Sequence, residues 1–214
     1  MKAETLLRKA SKNDIPFLAK ILLLAETSGK ELISYRKMFP LSEEELLKGF
    51  EIALDNDEPG HGLTYLTFLI AEVDGMPAAA ACGYIEGEFG SSNHLMTGAL
   101  MTGFNTERVI EAYKKNSIFK EVQIAKSYGA LQIDSVATLA EYRGKGLFKM
   151  IFDEHCRIAI LNGCKLLEIQ VWAGNDAAVK TYQKLGCVII NEKYLNFTDE
   201  DNAGGRLLMT KKLI

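Results

Sequence analysis

The residues that build metal and redox centres are few here, and they are scattered. The chain has 4 cysteines and 3 histidines among 214 residues. Cys82, Cys156, Cys164 and Cys187 form no Cys-x-x-Cys pair, so neither a structural zinc site nor a disulfide framework is expected. Each lies in an apolar segment and reads as a small, reduced core residue. Positive charge is not in excess: 25 Lys+Arg stand against 28 Asp+Glu, a net charge of -3. That argues against a broadly basic nucleic-acid binder. No apolar run reaches the roughly 18 residues of a membrane span. Met1-Lys2-Ala3-Glu4-Thr5 lacks the basic-then-apolar order of a signal peptide. The expectation is a cytoplasmic protein with no nucleic acid, membrane or metal as partner. Internal repeats and low-complexity tracts are missing too. What remains is an ordinary globular composition, 48% hydrophobic and 25% charged, of a length that one core can hold.

Strand and helix signals follow one another along the chain. Thr5 to Arg8 is a short strand candidate, and Ser11-Lys12-Asn13-Asp14 offers helix-capping chemistry before the apolar stretch Phe17 to Ala25. Ser42 with Glu45 forms a capping box ahead of Leu46, Leu47, Phe50 and Leu54 at helical spacing. Tyr65 to Val73 and Pro77 to Ile85 read as strands joined by the hairpin signal Asp74-Gly75. Between Glu86 and Gly129, glycines 87, 90, 98 and 103 break the first half, and Thr106 to Phe119 has a helical apolar face. This stretch reads as an insertion within a single domain spanning residues 1–214. Leu131 to Thr138 is the next strand, Leu147 to Leu161 an apolar helix, and Leu166 to Trp172 a strand. Asp176 to Leu185 is a helix, Val188 to Leu195 a strand, then a polar turn containing Gly204-Gly205 and a last strand Arg206 to Lys212. The order predicts an α/β fold with a mixed sheet, antiparallel at both ends, and a parallel β-α-β crossover in the middle.

Two segments carry chemistry. Tyr142-Arg143-Gly144-Lys145-Gly146-Leu147-Phe148 lies between a strand and a helix. Its glycines let the backbone curl so that successive N–H groups converge on a helix N-terminus, an arrangement suited to a pyrophosphate. A tight turn with no ligand would use the same glycines, and the spacing fits neither the dinucleotide fingerprint nor the P-loop. The second segment runs from Asn175 to Cys187. Asn175 is a good helix N-cap, Gly186 a C-terminal stop, and Ala178, Tyr182 and Leu185 share one helical face. A tyrosine on such a face is ordinarily a packing residue.

Together these residues resemble the GNAT superfamily of N-acetyltransferases. The superfamily's acyl-CoA motif, Gln/Arg-x-x-Gly-x-Gly/Ala, corresponds to Arg143-Gly144-Lys145-Gly146-Leu147-Phe148. Its later motif, Asn-x-x-Ala-x-x-x-Tyr-x-x-x-Gly, is met at Asn175, Ala178, Tyr182 and Gly186. Val136-Ala137-Thr138 is similar to the pantetheine-binding strand, and the close likeness covers about residues 130 to 190. The resemblance implies a mostly antiparallel central sheet with helices on both faces, acetyl-CoA as donor, and direct transfer to an amine. It implies that the amides of Arg143 to Phe148 hold the pyrophosphate and that the backbone at Val136 and Thr138 pairs with the donor arm. Asn175 would help hold the cofactor, and Tyr182 would protonate the departing thiolate. The acceptor would be a small-molecule or peptide amine, and a homodimer is compatible with the apolar run Met96 to Phe104.

The sequence departs from the superfamily pattern in places. Phe148 stands where glycine or alanine is usual, and Gln132 and Gln170 stand where relatives often place a general base. Glutamine cannot accept a proton, so Asp134 is the candidate base, in a setting that Ile133 and Val136 suggest is apolar. Glu168 and Glu86 are alternatives, and His94 reads as a surface or core histidine. Two rival readings stay open. One is a non-catalytic acyl-CoA sensor or assembly module. The other is transfer of a longer acyl group, with Phe148 and the insertion lining its pocket. Part of residues 87–129 is expected to shape the acceptor side.

Overall fold

Two capping boxes launch the helices of the N-terminal half, as their sequences predict. A computed structural model of the chain describes residues 4–26, 35–115, 120–195 and 204–214. After β1 (Thr5–Lys9), the Asp14 carboxylate accepts from the Ser11 backbone N–H at 2.8 Å, and α1 (Ile15–Glu26) follows. A short α2 (Tyr35–Met38) precedes α3 (Glu43–Leu54). There Ser42 Oγ accepts from the Glu45 N–H at 3.2 Å, and the Glu45 carboxylate accepts from the Ser42 N–H at 2.9 Å. The strand expected from Tyr65 starts only at Phe68, because Thr64 caps a single 3-10 turn over Tyr65–Thr67. Then β2 (Phe68–Val73) and β3 (Met76–Ile85) close a hairpin. Asp74 and Gly75 have φ of 50° and 78°, the left-handed pair that matches strand twist.

The insertion contains α4 (Ser92–Phe104) and α5 (Thr106–Lys115). Residues 116–119, the end of the helix expected there, and most of the polar turn before Gly204 lie outside the described residues. Gly98 and Gly103 do not break α4. Gly103 marks a close helix crossing instead: a Cβ there would lie 2.2 Å from the Gly49 carbonyl oxygen of α3, and one at Gly49 would lie 2.3 Å from the Phe104 ring. Backbone cannot give way as a side chain can. Gly103→Ala is therefore expected to destabilise the fold by about 2–3 kcal/mol, read as a lowered denaturant midpoint, while Gly98→Ala, with nothing within 4 Å of its Cβ, stabilises or is neutral.

The second half is β4 (Leu131–Thr138), α6 (Leu147–Leu161), β5 (Leu166–Trp172), α7 (Asp176–Lys184), β6 (Val188–Tyr194) and β7 (Gly205–Lys212). All seven strands join one sheet in the order β1-β2-β3-β4-β5-β7-β6. Every pair is antiparallel except β4 with β5, the expected crossover. Helices α1, α3, α4 and α5 cover one face, around Leu18, Phe50, Phe104 and Cys82. The other face is covered by α6 and α7, around Phe152, Ile169, Tyr182 and Met209. The four cysteines are buried and unpaired. Among the described residues no helix is long and apolar enough to cross a membrane.

One irregularity positions everything that follows. Pairing of β4 with β5 runs from Leu131↔Leu167 to Ile133↔Ile169 and stops. On its other side β4 slips register against β3 between Ala80 and Cys82, and Ser135 takes φ 51°. The slip places an extra residue in β4, a bulge, which bends the strand. The C-terminal halves of β4 and β5 therefore separate and open a cleft in the middle of the sheet.

Candidate active site

The cleft has a volume of about 600 Å³ and draws on both faces of the sheet. Beyond the C-terminal end of β4 comes the turn expected to bind phosphate, whose residues are not among those that line this volume. Gly144 and Gly146 have φ of 75° and 76°, and nothing lies within 4 Å of a Cβ on either. Glycine is required there by backbone conformation, and the space above the turn is open. The first helical hydrogen bond of α6 runs from Met150 N–H to the Gly146 carbonyl at 3.2 Å. The N–H groups of Leu147, Phe148 and Lys149 before it have no helical acceptor and sit at the positive end of the helix. Arg143 is exposed and donates through Nε to the Thr138 carbonyl at 3.3 Å, while Lys145 lies over the Tyr142 ring, 4.9 Å from its centroid. This donor set fits a pyrophosphate: backbone amides flanked by two cations with no carboxylate partner among the described residues.

Beyond Ile133, β4 has no strand partner on its β5 side, so this edge of its backbone is open to the cleft, which Val136 lines. Thr138 ends the same strand and joins it to the turn. Across the cleft, Asn175 caps α7 by accepting from the Ala178 N–H at 3.2 Å. Two turns on, Tyr182 is 7% exposed and lines the cleft wall. Burial pushes its phenol well above the ordinary tyrosine value, and the charge of Asp134 adds to this. At neutral pH Tyr182 is a proton donor. Phe148 packs edge-on to Phe152 at 5.9 Å and to Tyr182 at 5.8 Å. The ring thus braces Tyr182 from within the core and is not among the residues that line the cleft.

Strand alternation sorts the remaining candidates. Asp134 on β4 and Gln170 and Trp172 on β5 project toward the α1 face, while Ile133, Ile169 and Val171 project toward α6. Asp134 is exposed in the cleft, not enclosed by apolar neighbours as its sequence suggests, because Ile133 and Val136 both pack on the opposite face. Glu168 is 1% exposed and committed: it accepts from Ser127 N–H at 2.9 Å, Ser127 Oγ at 2.6 Å and Gln132 Nε2 at 2.8 Å. Glu86 holds Ser92 at the start of α4. Neither is among the residues that line the cleft. Gln170 donates to the Ile124 carbonyl at 2.8 Å and so ties the end of the insertion against the sheet. His94 is exposed on α4. Of the insertion, Asn93, Met96, Lys120, Gln123, Ile124, Ala125 and Lys126 line the cleft, whereas Leu100 and Phe104 are core.

Three cleft residues were not expected. Glu26, the last residue of α1, lines the cleft with Tyr35, whose backbone N–H donates to it at 2.8 Å. Burial pushes the Glu26 carboxyl up to about 8, helped by Asp134 and opposed by the Tyr35 amide and Arg36. Lys126 donates to Tyr84 Oη at 2.8 Å, Ser92 Oγ at 3.0 Å and Asn93 Oδ1 at 3.3 Å. Arg206 of β7 stacks on Trp172 with 4.2 Å to the ring centroid. A lone acid closing an apolar helix is the only sequence signal for Glu26, and Arg206 beside two glycines has none.

Comparison with known proteins gives the family and agrees with the fold. The profile of the acetyltransferase (GNAT) family matches residues 32–187, and the chain belongs to that family. An N-acetyltransferase from Staphylococcus aureus Mu50 superposes with a TM-score of 0.66 at 18% identity, covering 95% of this chain and 99% of that one. A crystallised acetyltransferase gives 0.63 at 19% identity, covering 98% and 100%. A Salmonella typhimurium protein determined with its cofactor acetyl-CoA gives 0.55 at 14% identity, covering 98% and 94%. A search of curated proteins finds no match.

Proposed function

We propose that the chain is an acetyl-CoA-dependent N-acetyltransferase that acetylates an amine directly, acting in the cytoplasm as one domain with residues 86–129 as its insertion. The observation that carries this reading is the opening of the sheet beyond Ile133, where β4 leads on to an open glycine turn and a buried, firmly protonated tyrosine lines the cleft. The amides from Arg143 through Gly144, Lys145, Gly146 and Leu147 to Phe148 hold the pyrophosphate. The open backbone of Val136 and Thr138 pairs with the pantetheine arm, and Asn175 fixes the start of α7 beside it. Tyr182 gives its proton to the thiolate as the C–S bond breaks. On the α1 face, Asp134 meets the acceptor ammonium and, with Glu26, takes its proton. An alkylamine with a pKa of about 10.4 is almost wholly protonated at neutral pH, so such a base is needed. A pure acyl-CoA sensor has no use for that carboxylate pair, which favours catalysis.

Donor binding tests the reading directly. At 100 times its dissociation constant CoA stabilises the fold by about 2.7 kcal/mol, a rise in Tm of roughly 5–10 °C. Gly146→Pro removes a donor and cannot take the left-handed φ, so it abolishes the shift. Unchanged melting of the wild-type protein in saturating CoA would overturn the proposal.

A further inference from the structure

The charges that line the cleft, Glu26, Asp134, Lys120, Lys126 and Arg206, form no ion pair among the described residues, and Arg206 is the one guanidinium among them. Arg8 forks onto Asp14 and reaches Glu72, Arg36 pairs with Glu43 and Arg157 with Glu154. Arg206 is half-buried like the first two, yet among the described residues it has no carboxylate partner. Its Nη1 reaches Gln170 Oε1, a neutral oxygen, at 3.4 Å, and its plane is held over the Trp172 ring. Burial lowers its pKa, with the charges of Asp134 and Tyr35 acting the other way. A guanidinium has five N–H donors in a rigid fork, and a half-buried one left without an anion is costly. Stacking fixes the fork's orientation while leaving most donors to the cleft that Arg206 lines. Lys126 on the facing wall is different: three neutral oxygens take its three donors.

The position of Arg206 matters as much as its charge. Asp134, Gln170, Trp172 and Arg206 lie on one sheet face across adjacent strands β4, β5 and β7. Gln132 is level with Glu168 and Trp172 with Arg206, so Arg206 sits two strands and two residues from Asp134. That is roughly 12 Å between their backbones before the splay is added. Both side chains line the same cleft, and the charge of Asp134 acts on Arg206 across it.

We propose that the acceptor carries a carboxylate close to its reacting amine, as a free amino acid does, and that Arg206 binds this carboxylate in a fork while Asp134 and Glu26 face the amine. The proposal rests on the acetyl-transfer reading above. It gives the cleft a zwitterionic occupant whose carboxylate meets Arg206 and whose ammonium meets Asp134 and Glu26.

The test measures thiol release from acetyl-CoA with the free L-amino acids and β-alanine, each beside its own carboxamide, and with spermidine as a carboxylate-free amine. At least one amino acid is expected to be acetylated with kcat/KM about 10²-fold above its carboxamide. In Arg206→Gln that preference collapses toward unity, mainly through KM, while CoA affinity and Tm stay near wild type. Arg206→Lys keeps the charge without the fork and restores part of the preference. If the protein binds CoA but acetylates only spermidine, treats acids and carboxamides alike, or keeps its preference in Arg206→Gln, the proposal is wrong and the acetyltransferase reading stands. If CoA does not bind at all, that earlier reading fails and takes this one with it.

Discussion

Tyr182→Phe is expected to lower turnover by about 10²- to 10⁴-fold with CoA affinity and melting temperature nearly unchanged. The change deletes one hydroxyl and keeps the ring. The ring is what the core uses, since Phe148 meets it edge-on at 5.8 Å and it packs among Phe152, Ile169 and Met209. The hydroxyl belongs to the cleft. With the phenol held far above neutrality by burial, it carries its proton throughout the working range and can release it only to a strong base. A thiolate expelled beside it is desolvated by the same burial, which raises its basicity, and it takes the proton as the C–S bond breaks. The loss should appear in kcat under conditions where chemistry limits the rate, and it should grow with the basicity of the leaving thiol. Wild-type turnover in the Phe variant would reduce Tyr182 to a packing residue and revive the non-catalytic acyl-CoA module.

How much of this was legible beforehand differs between backbone and side chains. The second half of the fold follows from local signals. Leu131–Thr138, Leu147–Leu161 and Leu166–Trp172 have the bounds their apolar runs predict, because each run is bracketed by glycine, asparagine or a polar turn. The glycine turn before α6 is readable for the same reason: Gly144 and Gly146 are demanded by left-handed φ, a property of the residues themselves. Gly103 misled because glycine also serves close helix approach, and the Gly49 carbonyl that it accommodates is 54 positions away, while Gly98 is simply carried inside α4 with nothing within 4 Å of its Cβ. Asp134 misled through its neighbours. In a strand, adjacent residues report on the opposite face, so Ile133 describes the α6 core and not the setting of Asp134. Glu168 had the right chemistry, but its oxygens are taken by Ser127 and Gln132, contacts that only the tertiary structure creates. Glu26 and Arg206 reach the cleft from opposite ends of the chain, and nothing local marks them.

The acid–base pair gives the remaining large effect. Asp134→Asn is expected to cost about 10²-fold or more in turnover while sparing CoA binding, because the ammonium loses both its ionic partner and the charge that keeps Glu26 basic. The pH profile separates the two carboxylates. Glu26, with a carboxyl near 8, accepts a proton only once it has ionised, so wild-type kcat/KM rises through about pH 8. In Asp134→Asn, burial still raises Glu26 but the push from Asp134 is gone, and the rise moves to lower pH. In Glu26→Gln the rise near 8 disappears and only the ionisation of the amine itself remains. Persistence of the limb near 8 in Glu26→Gln would mean that the limb does not belong to Glu26 and would remove it from the proton transfer. A stability measurement gives an independent check with a definite sign. Between the model-peptide value of 4.5 and about 8, the folded protein holds a proton on Glu26 that the unfolded chain has lost. Stability therefore falls as pH rises across that window. Glu26→Gln has no such proton to lose, so its melting temperature should fall less than that of the wild type between pH 5 and pH 8. Parallel curves for the two proteins would mean that Glu26 ionises in the fold as it does in water, and that the pair has no base poised near neutrality.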